Sequence, residues 1–140
     1  MKTCIIYHTR FGNNAALAEK MNELLVERGD DVSMHQISDA KPSSIPEAEL
    51  YIVGAPTQIG TLPLKASRFL KRLNPPEGSR YAIFFTHAEA ESDVPEKIAA
   101  IMEGNGAVSA AESLSILVKD LKGPLQDDWE NRLKDWIGSL

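Results

Sequence analysis

The chain has 140 residues, 43% of them apolar and 25% charged, the balance of an ordinary folded domain and not of a disordered, fibrous or disulfide-stapled chain. A formal charge of −5 without any Lys/Arg-rich block argues against nucleic acid as a partner; one cysteine and three scattered histidines suggest neither a disulfide nor a metal site. No apolar run is long enough to span a membrane and the N-terminus enters a strand-like segment directly, so the expectation is one cytoplasmic domain over residues 1–140.

The first predicted element is TCIIY, residues 3–7, a continuous apolar run rich in β-branched residues, as expected of a strand covered on both faces. Residues 13–28 follow with Leu17, Met21, Leu24 and Leu25 on one helical face and Gly29 as a stop. DVSMHQI, residues 31–37, alternates weakly and reads as a strand near a sheet edge, with His35 exposed on it. LYIVGA, residues 50–55, is a second buried strand, and Pro63 opens a helix carrying Ala66, Phe69, Leu70 and Leu73. YAIFF, residues 81–85, is a third, followed by a helix from about Asp93 with Ile98, Ile101 and Met102 on its buried face and Gly104 and Gly106 at its end. SLSILV, residues 113–118, supplies the last strand, and a terminal helix aligns Trp129, Leu133, Trp136, Ile137 and Leu140 along one core-facing stripe.

Five strands alternating with helices predict an α/β fold: a doubly wound, five-stranded parallel sheet with helices on both faces. In such sheets ligands bind at the carboxyl ends of the strands, which singles out the loops after strands one, three and four. HTRFGNN, residues 8–14, would meet a phosphate with the N–H groups and positive end of the following helix, with Thr9, Asn13 and Asn14 as side-chain donors and Gly12 for the bend. GAPTQIGTLP, residues 54–63, combines rigid Pro56, Thr57, flexible Gly60 and apolar Ile59 and Leu62, a mixture suited to the edge of a flat heteroaromatic ring.

IIYHTRFGNNAALA resembles the phosphate loop of flavodoxin-like proteins, and YIVGAPTQIGTLPLKASRFL is similar to their second flavin loop. The resemblance extends over essentially the whole chain and implies strand order 2-1-3-4-5 and bound FMN. It implies the phosphate on Thr9, Arg10, Phe11, Gly12, Asn13 and Asn14, and the ring between Pro56, Thr57, Gln58, Ile59 and Gly60 on one side and Thr86, His87 and Ala88 on the other. Asn14 stands where the family usually has Thr, and residues 55–63 and 86–92 contain no Trp or Tyr to stack on the ring, leaving Ile59, Leu62 or His87 to cover it. His8 and His87 are expected at adjacent strand ends. Glu89, Glu91 and Asp93 are expected as an acidic rim that disfavours negative charge on the ring, or simply as a solvated loop and helix start. Gly60 is the expected pivot of a peptide flip toward the ring, because glycine reaches both signs of φ.

The leading expectation is an electron carrier between redox proteins, with no catalytic residue of its own. Its net negative charge suits basic docking surfaces on those partners, although solubility alone would also produce such a charge. The alternatives are an FMN-dependent reductase or dehydrogenase of a small substrate such as a quinone, and a binding module of the same fold without redox turnover. Cys4 and Arg10 have the spacing of a thiolate phosphatase, but Ile5, Ile6 and Tyr7 continue a buried strand between them, so Cys4 is expected as a neutral core thiol.

Overall fold

The computed structural model describes residues 1–88, 91–120 and 122–140. In chain order its elements are β1 (Lys2–Tyr7), α1 (Asn13–Glu27), β2 (Asp31–Gln36), β3 (Leu50–Pro56), α2 (Leu64–Lys71), β4 (Arg80–His87), α3 (Val94–Gly104), β5 (Val108–Ser109), β6 (Leu114–Leu117) and α4 (Trp129–Gly138). All strand pairs are parallel, in the order β2-β1-β3-β4-β5, with β6 also paired to β4. No helix among the described residues is long and apolar enough to cross a membrane.

The apolar runs of β1, β3 and β4 are continuous because both sheet faces are covered. On one face Ile5, Ile52 and Phe84 pack under α1 and α4 with Leu17, Met21, Leu133 and Trp136; on the other Cys4, Val53 and Ile83 pack under α2 and α3 with Leu70 and Ile98. Burying each such large side chain contributes about 1.5–3 kcal/mol. Gly54 stands opposite Phe84 in register, and a Cβ there would overlap the Phe84 ring. Trp129 and Trp136 both belong to the α4 side of the core, as the stripe predicts; the Trp136 indole N–H donates to the Glu112 carbonyl at 2.7 Å. Burial pushes the Cys4 thiol up to about 11, against a weaker hydrogen bond with Ser33, so it is neutral and inert inside the strand.

Two expectations are refined, for the fifth sheet position and for Pro63, and two are corrected, for His35 and for the pair His8 and His87. The fifth sheet position is shared by two segments: β5 pairs with the start of β4 at Arg80 and Tyr81, and β6 with its end from Phe84 to His87. Both β5 residues are exposed, so that segment carries no apolar pattern to read. Pro63 precedes α2 as its N-cap residue and is not its first turn. His35, opposite Ile6 on the edge strand, is only partly exposed; its Nε2 is buried without a partner and burial lowers its pKa. Finally, β3 lies between β1 and β4, so His8 and His87 do not occupy adjacent strand ends.

Candidate functional site

Strand order reverses between β1 and β3, and the loops leaving the carboxyl ends of β1, β3 and β4 converge there on a cleft of about 330 Å³. Of the residues expected to hold the phosphate and the ring, all line it except Gly12 and Gly60, which form the bends behind it; Leu62 and His8 do not line it either. Gly12 has φ +92° and Gly60 φ +74°, left-handed values that suit glycine.

The first wall is the start of α1. Gly12 is the N-cap residue and no side chain closes the helix end. The Gly12 N–H donates to Thr9 Oγ1 at 3.0 Å, which leaves the Thr9 hydroxyl proton available. The next N–H groups have no acceptor within the helix and point, with its positive dipole end, toward the loop. Arg10 lines the cleft with its guanidinium 5.0 Å from the Phe11 ring centre, and Lys122 lies 5.9 Å from the same ring.

Thr86, almost fully buried at the end of β4, joins the walls. Its hydroxyl accepts from Asn14 Nδ2 at 2.9 Å, while its carbonyl accepts from the Thr57 N–H and the Thr57 hydroxyl, both at 2.9 Å. Asn14 is 1% exposed, and its Oδ1 is buried without a partner. Whichever way the amide is oriented, one of its two polar atoms is left for a ligand at the cleft floor.

The second loop is a tight hairpin. Gln58 and Thr61 exchange both backbone hydrogen bonds at 2.9 and 3.0 Å, and Ile59 and Gly60 occupy the corner with φ +50° and +74°, the signature of a type I′ turn. Ile59 is fully exposed at the rim, whereas Leu62 is buried under α2 and cannot cover a ligand. Asp93 ties this hairpin to α3: its carboxylate accepts from Thr61 Oγ1 at 3.0 Å and from the Leu62 N–H at 3.3 Å, and its own N–H donates to the Gly60 carbonyl at 3.2 Å. Partial burial pushes the Asp93 carboxyl up, but the Thr61 hydroxyl and Lys97, 3.2 Å away, outweigh it and hold the pKa below the usual range. Of the expected acidic rim, Asp93 is therefore a structural clamp, Glu91 is exposed, and Glu89 lies outside the described residues.

His87 lines the third wall, stacked on Phe85 with ring centres 5.3 Å apart and with Nε2 2.6 Å from Ser115 Oγ. His8 does not line the cleft; burial, and then the charge of Lys65, lower its pKa. Val118 is a lining residue that the three-loop reading missed. Its N–H donates to the His87 carbonyl at 3.0 Å, so the end of β6 forms a fourth wall, and extending the loop search to every strand end would have found it. Beyond it Gly123, φ +109°, packs so close to α1 that a Cβ would come 2.9 Å from Asn13 Oδ1.

A parallel sheet in this order, with its cleft at the reversal point, defines a doubly wound α/β protein of the flavodoxin-like class. The family model for flavodoxin matches residues 5–122, and the chain belongs to the flavodoxin family. No curated protein matches it at a significant level. Among solved structures it is similar to a short-chain flavodoxin associated with a bacterial microcompartment, at 19% identity and TM-score 0.79 over 100% of this chain and 96% of that one. Flavodoxin 2 from Bacillus cereus matches at 18% identity and TM-score 0.81, over 99% of this chain and 97% of that one. The rubredoxin:oxygen oxidoreductase of Desulfovibrio gigas matches at 19% identity and TM-score 0.82 over 99% of this chain, which spans 34% of that one.

Proposed function

We propose that the protein binds FMN in this cleft and carries electrons between redox partners. The observation that carries this reading is the pairing of an uncapped, donor-lined helix end with the unsatisfied amide of Asn14 on the cleft floor. A dianionic phosphate suits the first and a polyhydroxylated chain, able to donate or accept, suits the second. The residues present therefore fit the cofactor. FMN, when bound, supplies one- or two-electron redox chemistry.

The Thr9 hydroxyl and the N–H groups of residues 13–15 would hold the phosphate, with Arg10 available as a counter-charge. Thr86 fixes the distance between the phosphate wall and the ring wall through its three hydrogen bonds. Ile59 and His87 would flank the ring in place of a stacking aromatic, and Gly60 would let the Ile59–Gly60 peptide reorient beside it, the Gly60–Thr61 peptide being held by Gln58 and Asp93. The match to part of a rubredoxin:oxygen oxidoreductase supports an electron-transfer role, since that protein is named for redox chemistry between a carrier and oxygen.

The test is the absorption spectrum of the purified protein with added FMN, followed through anaerobic photoreduction and reoxidation. A stoichiometric yellow complex that reduces reversibly in one-electron steps is expected. Rapid turnover with a quinone would favour the reductase reading, and a protein that ignores FMN would favour a binding module without redox turnover.

A further inference from the structure

No Asp or Glu occurs between Glu49 and Glu77, while that stretch carries Lys65, Arg68, Lys71 and Arg72. The rest of the chain is correspondingly more acidic than the total of −5 suggests. The buried side of α2 is Ala66, Phe69 and Leu70, and all four cations are exposed on its other side. Among the described residues none of the four enters an ion pair. Cations near a helix C-terminus are favoured by the dipole, which accounts in part for Arg68, Lys71 and Arg72. Lys65 stands in the first turn, where the dipole opposes it, and so has no local reason to be basic.

The basic face begins at the cleft. Leu64, the first residue of α2, is 62% exposed and directly follows the loop whose Thr57, Gln58 and Ile59 line the cleft. The charge of Lys65 is felt at His8, at the end of β1. A helix of this length is about 12 Å long, so all four charges lie within roughly one or two Debye lengths of the cleft mouth. Acidic residues flank the other walls, with Glu91 exposed in the loop after β4 and Asp120 exposed two residues beyond Val118, while Asp93 is held by Lys97.

We propose that the exposed face of α2, with Leu64 at its cleft end, docks an electron-transfer protein whose own redox centre is ringed by carboxylates. The partner chemistry is thus the reverse of the basic surface that the total charge suggests. A compact acidic patch matches four charges on one short helix, whereas an extended polyanion such as nucleic acid or a lipid surface would meet the acidic remainder of the chain. This inference rests on the carrier reading above.

The experiment uses FMN-loaded, photoreduced protein mixed in stopped flow with two one-electron oxidants: a high-potential iron–sulfur protein of net negative charge, and cytochrome c, which is basic. Ionic strength runs from about 0.01 M to about 1 M, over which the Debye length falls from ~30 to ~3 Å. The acidic oxidant should react faster at low salt and slow by about tenfold or more as salt rises. Lys65→Glu with Arg68→Glu should abolish that salt dependence and leave the FMN dissociation constant unchanged. A wild-type preference for cytochrome c at low salt, or a double variant with an unaltered profile, overturns the docking proposal while the carrier reading stands. Retention on phosphatidylcholine–phosphatidylserine vesicles without any charge preference in electron transfer overturns it in favour of a lipid surface. A protein that takes up no FMN overturns the carrier reading, and this proposal with it.

Discussion

Ile59 stands in the left-handed region at φ +50°, where a β-branched residue costs about 1–2 kcal/mol relative to glycine or asparagine. It is also fully exposed at the rim of the cleft, so neither its backbone nor its side chain is satisfied by the protein itself. The hairpin corner imposes that φ, and the exposed side chain is what remains to meet a ligand in the proposed reading. Ile59→Asn would give the corner the Asn-Gly pair that type I′ turns favour. The variant should gain about 1 kcal/mol in urea unfolding without FMN, yet bind FMN several-fold more weakly by fluorescence titration. Equal FMN affinity would show that Ile59 does not cover the ring. The sequence marks this position by its apolar character inside a polar loop, but not by its strain, because a positive φ at isoleucine has no composition signal. Leu62, three residues on, has the same apolar character and opposite burial, and only the packing of α2 separates the two.

At the scale of elements, the central strands were legible because both of their faces are covered, which writes burial directly into the sequence. β5 was not, since two exposed residues have no period, and β6 holds the stronger half of the same edge. Likewise the three loops at the reversal point were legible from strand order, while Val118 was missed because those loops leave out the end of the last strand, which pairs beside β4. The close approach of β3 to β4 gives a direct check. Gly54→Ala would drive a methyl into the Phe84 ring, in a core that cannot yield without shifting the sheet. The expected loss is at least about 1–3 kcal/mol by denaturant unfolding. Adding Phe84→Leu should recover part of it; no loss in the single variant would mean the strands can separate locally.

At the scale of the molecule, one polar cluster joins the chain termini to the end of α1. Arg28 donates to the Leu140 carbonyl at 2.8 Å and the Ile137 carbonyl at 3.3 Å, and pairs with Asp30 at 2.7 Å. Asp30 also accepts from Thr3 Oγ1 at 2.9 Å and lies 3.8 Å from the N-terminal ammonium. The Arg28 hydrogen bonds hold the Asp30 carboxyl below its usual range in spite of burial, with Thr3 and the N-terminus helping. Because the folded pKa is the lower one, this stabilisation is fully present above the unfolded value of about 3.9 and disappears as pH falls through the folded value. Asp30→Asn should therefore cost about 1–2 kcal/mol at pH 7, allowing for solvent screening, and converge with the parent protein as the pH drops below 4. Unfolding curves at several pH values test this; a pH-independent gap would assign the loss to packing alone. Arg28 and Asp30 are two residues apart, but Thr3, Ile137 and Leu140 come from distant parts of the chain, so the cluster as a whole could not be read before the fold.

The open start of α1 carries one more consequence. Most helices complete their first turn with a side chain of their own, but here Gly12 supplies none. In the proposed reading the cofactor phosphate is the missing cap, a piece of secondary structure delivered from outside the chain. A ligand that binds only the folded state adds stability with the logarithm of its excess, about 4 kcal/mol at a thousandfold over its dissociation constant. The lifetime of the protein against proteolysis would then follow the supply of flavin.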